Sequence, residues 1–202
     1  MAQGSHHSRE PHPSPDPSPT DYGRGAAMTP QQWAKNLLTY PDKYCILDTE
    51  TTGLHKAQPV DIGVIDLLGK VLVTLRVKPS IPITQGATDV HGITNQDVKD
   101  APSFADIFDD FCWEIGDRTL LIYNAPYDLG VLRNACRAYG LIYPDFQAEC
   151  VMLQYSEFVG EWNHRYGNYK WQKLPSGDHS ALGDCRATLK VIQRMANAQI
   201  QT

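Results

Sequence analysis

The stretch Lys43–Leu54, K-Y-C-I-L-D-T-E-T-T-G-L, constrains this chain more than any other. Tyr44, Cys45, Ile46 and Leu47 read as a short buried strand, although an apolar run of this length also suits the start of a helix. Thr51, Thr52 and Gly53 then close it as a turn. Side chains alternate along a strand, so Asp48 and Glu50 fall on one face. Two carboxylates converging at a strand end repel each other unless positive charge lies between them. A divalent cation answers that need, because hard cations such as Mg²⁺ and Mn²⁺ take oxygen ligands. Taken alone, D-x-E equally describes a solvated strand end with two unrelated acids, so the rest of the chain must decide.

The chain has 202 residues, 42% apolar and 20% charged, which predicts one domain with a tail. A net charge of −5 argues against a protein that coats nucleic acid. It argues less against an enzyme that meets phosphates through bound cations. Five cysteines are scattered with no C-x-x-C pair, so neither a disulfide framework nor a zinc site is expected. Free thiols fit a reducing compartment. No apolar run reaches the length of a membrane span and no signal-peptide core is visible, so the expectation is a cytoplasmic protein with no membrane partner.

Residues 1–29 read as a flexible tail, with Pro11, Pro13, Pro15, Pro17 and Pro19 alternating with Ser, Asp and His. Residues 30–202 read as the domain. Thr29 and Pro30 predict a helix to Leu38. Pro59–Leu67 and Val71–Val77 predict a strand hairpin turning at Leu68-Gly69-Lys70. A loop carrying Val90-His91-Gly92-Ile93-Thr94 follows, then a helix from Ser103 to Ile115. Thr119–Tyr123 is a further buried strand, and Asn124-Ala125-Pro126 opens a helix that Gly140 stops. Phe146–Cys150 reads as a short strand and Val151–Val159 as a helix. Glu161–Leu174 reads as irregular and aromatic, and a last helix runs from Ala181 to Ala198. Early antiparallel strands followed by strand–helix alternation predict a mixed sheet with helices on both faces.

Four acids then occupy places where they could meet: Asp48 and Glu50 at a strand end, Asp128 in the first turn of a helix after a strand, and Asp184 in the last helix. Sites in open α/β sheets form outside the carboxyl ends of strands. An acidic cluster with His179 nearby suits hydrolysis of a phosphodiester with two cations roughly 4 Å apart. A histidine, with an unperturbed pKa of about 6.5, suits removal of a proton from the attacking water.

At these residues the chain resembles the DEDDh 3′–5′ exonucleases of the DnaQ-like/RNase T superfamily. Asp48-Thr49-Glu50-Thr51-Thr52-Gly53-Leu54 matches the first motif, Asn124-Ala125-Pro126-Tyr127-Asp128 the second, and His179-Ser180-Ala181-Leu182-Gly183-Asp184-Cys185 the third, H-x-A-x-x-D. Val90-His91-Gly92-Ile93-Thr94 matches a recurrent loop. The resemblance covers roughly Tyr44 to Ala198. It implies an RNase H-like α/β fold with a mixed five-stranded sheet and helices on both faces. It implies two Mg²⁺ or Mn²⁺ ions: Asp48 bridging both, Glu50 on one metal and the terminal 3′-hydroxyl, Asp184 completing the nucleophile side, and Asp128 in support through water. His179 would be the general base. Leu54 would pack on the terminal base, and amides near Thr51, Thr52 and Gly53 would hold the 3′ end, with His91, Asn124 and Tyr127 lining the site. Two residues depart from the usual pattern, Tyr123 where His is frequent and Tyr127 where Phe is commoner; neither removes a metal ligand.

Some readings stay open in the sequence. His91 is either a site-lining residue or a loop histidine bonded to backbone, and Asp61 reads best as a solvent-facing strand residue. Glu161–Leu174 interleaves rings with cations, which suits a single-strand groove in which Arg165, Lys170 and Lys173 meet phosphates while Tyr169 and Trp171 are partly structural. The expected substrates are 3′ ends of single-stranded DNA or RNA, with DNA favoured. The rivals are an RNA-trimming enzyme of the same fold and a polymerase-associated proofreading or binding subunit. Some relatives dimerise, so a homodimer is open.

Overall fold

The structure, a computed structural model, describes residues 28–199. The proline-rich part of the tail lies outside the described residues. Thr29, read as the end of that tail, is already structural. Its hydroxyl accepts the Gln32 amide while the Gln32 side chain accepts the Thr29 amide, a reciprocal cap that starts α1 (Pro30–Thr39). A single 3₁₀ turn, Pro41–Lys43, leads into β1 (Tyr44–Thr51).

β1 is the centre of a five-stranded sheet. β2 (Pro59–Asp66) lies antiparallel to it on one side and carries β3 (Val71–Arg76) as the edge. β4 (Thr119–Ile122) lies parallel on the other side, followed by β5 (Ala148–Cys150), so the order is β3-β2-β1-β4-β5. The β2–β3 turn forms because Asp66 Oδ1 accepts the amides of Leu68 and Lys70. The predicted strand and hairpin boundaries shift by a residue or so at their ends.

Period two along β1 sends its side chains to two different cores. Cys45 and Leu47 enter a cluster with Phe104, Phe111 and Ile115 of α3 (Phe104–Ile115) and Leu132 and Ala135 of α4 (Ala125–Tyr139). Ile46 enters the opposite cluster, with Trp33 and Leu37 of α1, Met152 and Tyr155 of α5 (Val151–Val159), and Cys185 and Ile192 of α6 (Ala181–Asn197). Helices therefore cover both faces. Asp48 and Glu50, in phase with Ile46, share the face that α6 covers.

Two predicted elements differ. The Val90–Thr94 stretch, expected as loop, is in part the end of a short helix, α2 (Gln85–His91). Thr84 caps its start and Gly92, left-handed at φ 75°, stops it. The segment expected as irregular contains a small hairpin, β6 (Trp162–Asn163) paired with β7 (Asn168–Tyr169). Among the described residues no helix is long and apolar enough to cross a membrane.

Candidate active site

At the end of β1, the carboxylates of Asp48, Glu50 and Asp184 offer oxygens that all lie within 4.8 Å of one another. Asp48 and Glu50 arrive together through strand alternation; Asp184 arrives from the first turn of α6. A close approach of backbones delivers it. Gly63, the antiparallel partner of Asp48, sits under the start of α6, and a Cβ there would lie 2.7 Å from the Ala181 carbonyl carbon. Any larger residue pushes α6, and Asp184 with it, off the sheet. Cys185 lies in the same seam, its thiol 3.3 Å from the Gly63 carbonyl oxygen.

Asp61, expected to face solvent, does not. Its side chain is only 13% exposed, and it is the antiparallel partner of Glu50. One oxygen accepts the Ala181 amide at 3.3 Å, and Arg76 lies 3.8 Å from the other. It therefore pins an otherwise unpaired N–H of the helix that carries Asp184. Alternation along β2 puts Asp61 on the face opposite Ile62 and Val64, but nothing local in the sequence says that α6 covers that face. Gly63, isolated within a strand pattern, was the available signal.

Asp128 is buried in the first turn of α4, and its Oδ1 accepts a 2.7 Å hydrogen bond from the Thr49 hydroxyl. Thr49 faces away from Asp48 and Glu50, so the strand braces the second-motif acid from its other side. Asp184 is held by the preceding loop, where the Asp178 amide donates to its Oδ1 at 2.8 Å. His179 lies on that loop, exposed and in the left-handed region at φ 59°. Its ring is not within 4.0 Å of the three clustered carboxylates.

The electrostatics follow from crowding. Burial, then Asp128, Asp184 and Glu50, push the Asp48 carboxyl well above the usual range. Burial, then Asp184 and Asp61, push Glu50 up to about 7. Burial likewise raises Asp128 against the lowering effect of the Thr49 hydrogen bond. Among the described residues no Lys or Arg pairs with Asp48, Glu50 or Asp184. Clustered hard oxygen donors, short of positive charge, fit Mg²⁺ or Mn²⁺.

A cleft of about 570 Å³ opens beside the acids, lined by Glu50, Leu54, Thr84, Val90, His91 and Tyr127. Leu54, 82% exposed, stands at its mouth. The turn below Leu54 is stitched: the Tyr127 hydroxyl donates to the Gly53 carbonyl at 2.8 Å and lies 2.8 Å from the Thr51 hydroxyl. Gly53 takes φ 147°, which a side chain would strain, and a Cβ there would meet Thr84. His91 answers to both of its readings. It lines the cleft, yet Nδ1 accepts the Ile93 amide and so Nε2 carries the proton given to the Thr51 carbonyl. Thr52 is turned inward. Its amide donates to the Gln58 carbonyl, its hydroxyl accepts the Gln58 amide, and the residue is 2% exposed, so it is turned away from a 3′ end. Asn124 is the N-cap residue of α4 without a side-chain cap bond. Arg165, Lys170 and Lys173 are not part of this cleft; they lie on or beside the β6–β7 hairpin.

The mixed sheet and the acid cluster at its central strand together define an α/β nuclease with an RNase H-like fold. The exonuclease family model matches residues 45–192, and the chain belongs to that family as a DnaQ-like 3′–5′ exonuclease, a hydrolase of phosphodiester bonds. It is 36% identical over 186 residues to the uncharacterized exonuclease CP81 of Escherichia phage 186, covering 83% of this chain and 94% of that one. It is also 41% identical over 96 residues to the DNA polymerase III subunit epsilon of Rickettsia prowazekii (strain Madrid E), 44% of this chain but only 42% of the relative. Among solved structures, Exonuclease X in complex with 5′-overhanging duplex DNA superposes with a TM-score of 0.53 at 27% identity, over 77% of this chain and 94% of that one. The nuclease domain of 3′hExo, a DEDDh family member bound to rAMP, shares the fold at 18% identity and a TM-score of 0.55, over 78% of this chain and 92% of that one.

Proposed function

We propose that this chain removes nucleotides from the 3′ end of single-stranded nucleic acid, with DNA favoured over RNA, releasing nucleoside 5′-monophosphates with the support of two divalent cations, Mg²⁺ or Mn²⁺. The observation that carries this reading is the meeting of Asp48, Glu50 and Asp184 within 4.8 Å at the end of the central strand. These residues would hold the cations, and Asp128, braced by Thr49, supports the set. When bound, the cations would offset the charge of the acids and stabilise the developing charge on the phosphate being cut.

The chain's own groups do the rest. Glu50 borders the cleft and so also meets the terminal 3′-hydroxyl. Leu54 offers an apolar face to the last base, on a turn held by Tyr127 and Thr51. Contacts for the 3′ end come from the turn Thr51, Gly53 and Leu54, whose shape the Tyr127 and His91 hydrogen bonds hold, with Asn124 beside it. His179 takes the proton of the attacking water. Its exposed ring stands on the loop whose Asp178 amide grips Asp184, which links the position of the base to that of a cation ligand. DNA is favoured because the solved relative at 27% identity holds DNA. A polymerase-associated role finds support in the segment resembling subunit epsilon.

Matched DNA and RNA oligomers carrying a 5′ or 3′ label test the proposal on gels. With Mg²⁺ or Mn²⁺ the 5′-labelled strand should shorten stepwise while the 3′ label leaves at once as a mononucleotide, and EDTA should stop both. Early release of the 5′ label, or cleavage that ignores EDTA, would reject it. Faster loss of RNA than DNA would reverse the substrate preference.

A further inference from the structure

Outside the carboxylate site, the β6–β7 hairpin gathers exposed rings and cations on one short element. We propose that this hairpin is a second nucleic-acid site, on which bases several nucleotides upstream of the cut end stack while adjacent cations meet their phosphates. This rests on the nuclease reading above.

The hairpin divides its rings between two jobs. Trp162 and Tyr169 face each other across the strands, edge to face with centroids 5.1 Å apart, and so form the stem. Tyr166 and Trp171 are spare: they are 67% and 69% exposed. Trp171 was expected to be partly structural, and it is not. With Asn163, Asn168, Tyr169 and Lys170 these two rings line a cleft of about 560 Å³, a size suited to small flat ligands. A soluble surface gains nothing from two bare indole and phenol faces, whereas every nucleobase offers a π-face to stack on them.

Charge selects the occupant. The whole chain is at −5, yet residues 161–173 hold Arg165, Lys170 and Lys173 against the single acid Glu161. Glu161 pairs with Lys170 at 3.5 Å. Arg165 has no acidic partner among the described residues and lies over the Tyr166 ring at 5.3 Å, and Lys173 likewise has no ion pair. Rings beside unneutralised cations match a polyanion with bases.

The hairpin is also tied to the site. The Tyr123 hydroxyl, buried at the end of β4, donates to the Gln172 carbonyl at 2.9 Å. Tyr123 directly precedes the segment that carries Asp128. Leu174 packs on the α1–α5–α6 core, and the same chain then runs on to His179 and Asp184. The platform is therefore fixed to both halves of the carboxylate site rather than hanging free.

The test compares wild type with the Tyr166→Ala/Trp171→Ala double variant on two substrates. One is an oligothymidylate of about 20 nucleotides, longer than a typical single-strand site; the other is the p-nitrophenyl ester of thymidine 5′-monophosphate, which has nothing upstream. KM for the oligomer should rise about 10-fold or more with kcat little changed, while hydrolysis of the ester stays the same and Tyr166→Phe/Trp171→Phe restores the oligomer KM. Arg165→Gln/Lys173→Gln should flatten the salt dependence of oligomer binding, by a slope of roughly 1 to 2. An unchanged oligomer KM, or an equal loss on both substrates, would overturn the proposal. If neither substrate is hydrolysed even by wild type, the nuclease reading fails. Quenching of tryptophan fluorescence by the oligomer in EDTA still judges the hairpin. Quenching lost in the Ala variant supports it. No quenching in wild type overturns it and leaves the rings to a protein partner.

Discussion

The carboxylate site and the β6–β7 hairpin carry opposite charge in opposite mechanical settings. The acids sit at the end of a strand with a paired strand on each side and helices on both faces, and backbone or hydroxyl groups hold Asp61, Asp128 and Asp184. The hairpin has strands of two residues each and one cross-strand ring pair, and it is tied down beyond its second strand, at Gln172 and Leu174. Groups that must share an ion need positions fixed to a fraction of an ångström, and the packed sheet gives that. Groups that receive any base need only present area and charge, and a short exposed hairpin suffices. Failure at the first region should appear in kcat and in cation binding. Failure at the second should appear in KM for long strands alone.

The largest expected effect is at the cluster. Asp48→Asn or Asp184→Asn should lower hydrolysis by roughly 10³-fold or more, since the charge that cations would stabilise is central to the reaction. The folded state should survive. In the absence of metal each variant should melt higher than wild type at alkaline pH, because a mutually repelling acid is gone. Loss of folding in circular dichroism would break this side of the comparison.

Gly63→Val comes next. A Cβ facing Ala181 has no room, so overpacking should cost about 1–3 kcal/mol, a fall in Tm of roughly 2–10 °C for a chain of this size. Activity should fall further than stability, because α6 moves and Asp184 with it. A variant that melts lower yet keeps wild-type kcat would separate helix docking from the site.

Asp61 sharpens the same point more gently. Asp61→Asn keeps an acceptor for the Ala181 amide and should cost less than about 10-fold in kcat, whereas Asp61→Ala leaves that N–H and Arg76 without their partner and should cost more. Equal effects of the two would mean that charge, not the hydrogen bond, is what matters.

The smallest effect is a pH trend in the metal-free protein. Glu50 rises from an ordinary 4.5 to about 7 on folding, so folding favours its protonated form. That contribution is whole below about pH 4.5 and fades as pH rises through about 7, giving a Tm lower by a few degrees at about pH 8 than at about pH 5. Mg²⁺ or Mn²⁺ should restore more stability at the higher pH, and Glu50→Gln should flatten the trend. A metal-free Tm that climbs from about pH 5 to pH 8 in step with Glu50 ionisation would contradict the crowding of the acids.

Much of this was legible in the sequence because chemistry limits residue types at few positions. Asp48 and Glu50 two apart on a strand, Asp128 after a strand, and Asp184 five residues beyond His179 announce themselves by spacing. Caps were equally plain: Thr29 with Pro30, and Ser103 at the start of α3. What stayed hidden depends on long-range docking. Period two placed Asp61, but only the course of α6 makes that face the inner one. Thr52 reads as a turn residue with a free amide, and only its pairing with Gln58, across an intervening loop, turns it inward. The hairpin strands are too short to show a period, and α2, at seven residues, is too short to show an apolar stripe.

The most direct measurement is Mn²⁺ binding to the metal-free protein by isothermal titration, in wild type and in the Asp48→Asn/Asp184→Asn double variant, with folding checked alongside. The account predicts saturable binding by wild type, tightening as pH rises through about 7 as protons leave Glu50, and its loss in a folded double variant. Mn²⁺ binding that is the same in both proteins would mean that the three carboxylates meet without holding an ion, and would contradict the account at its base.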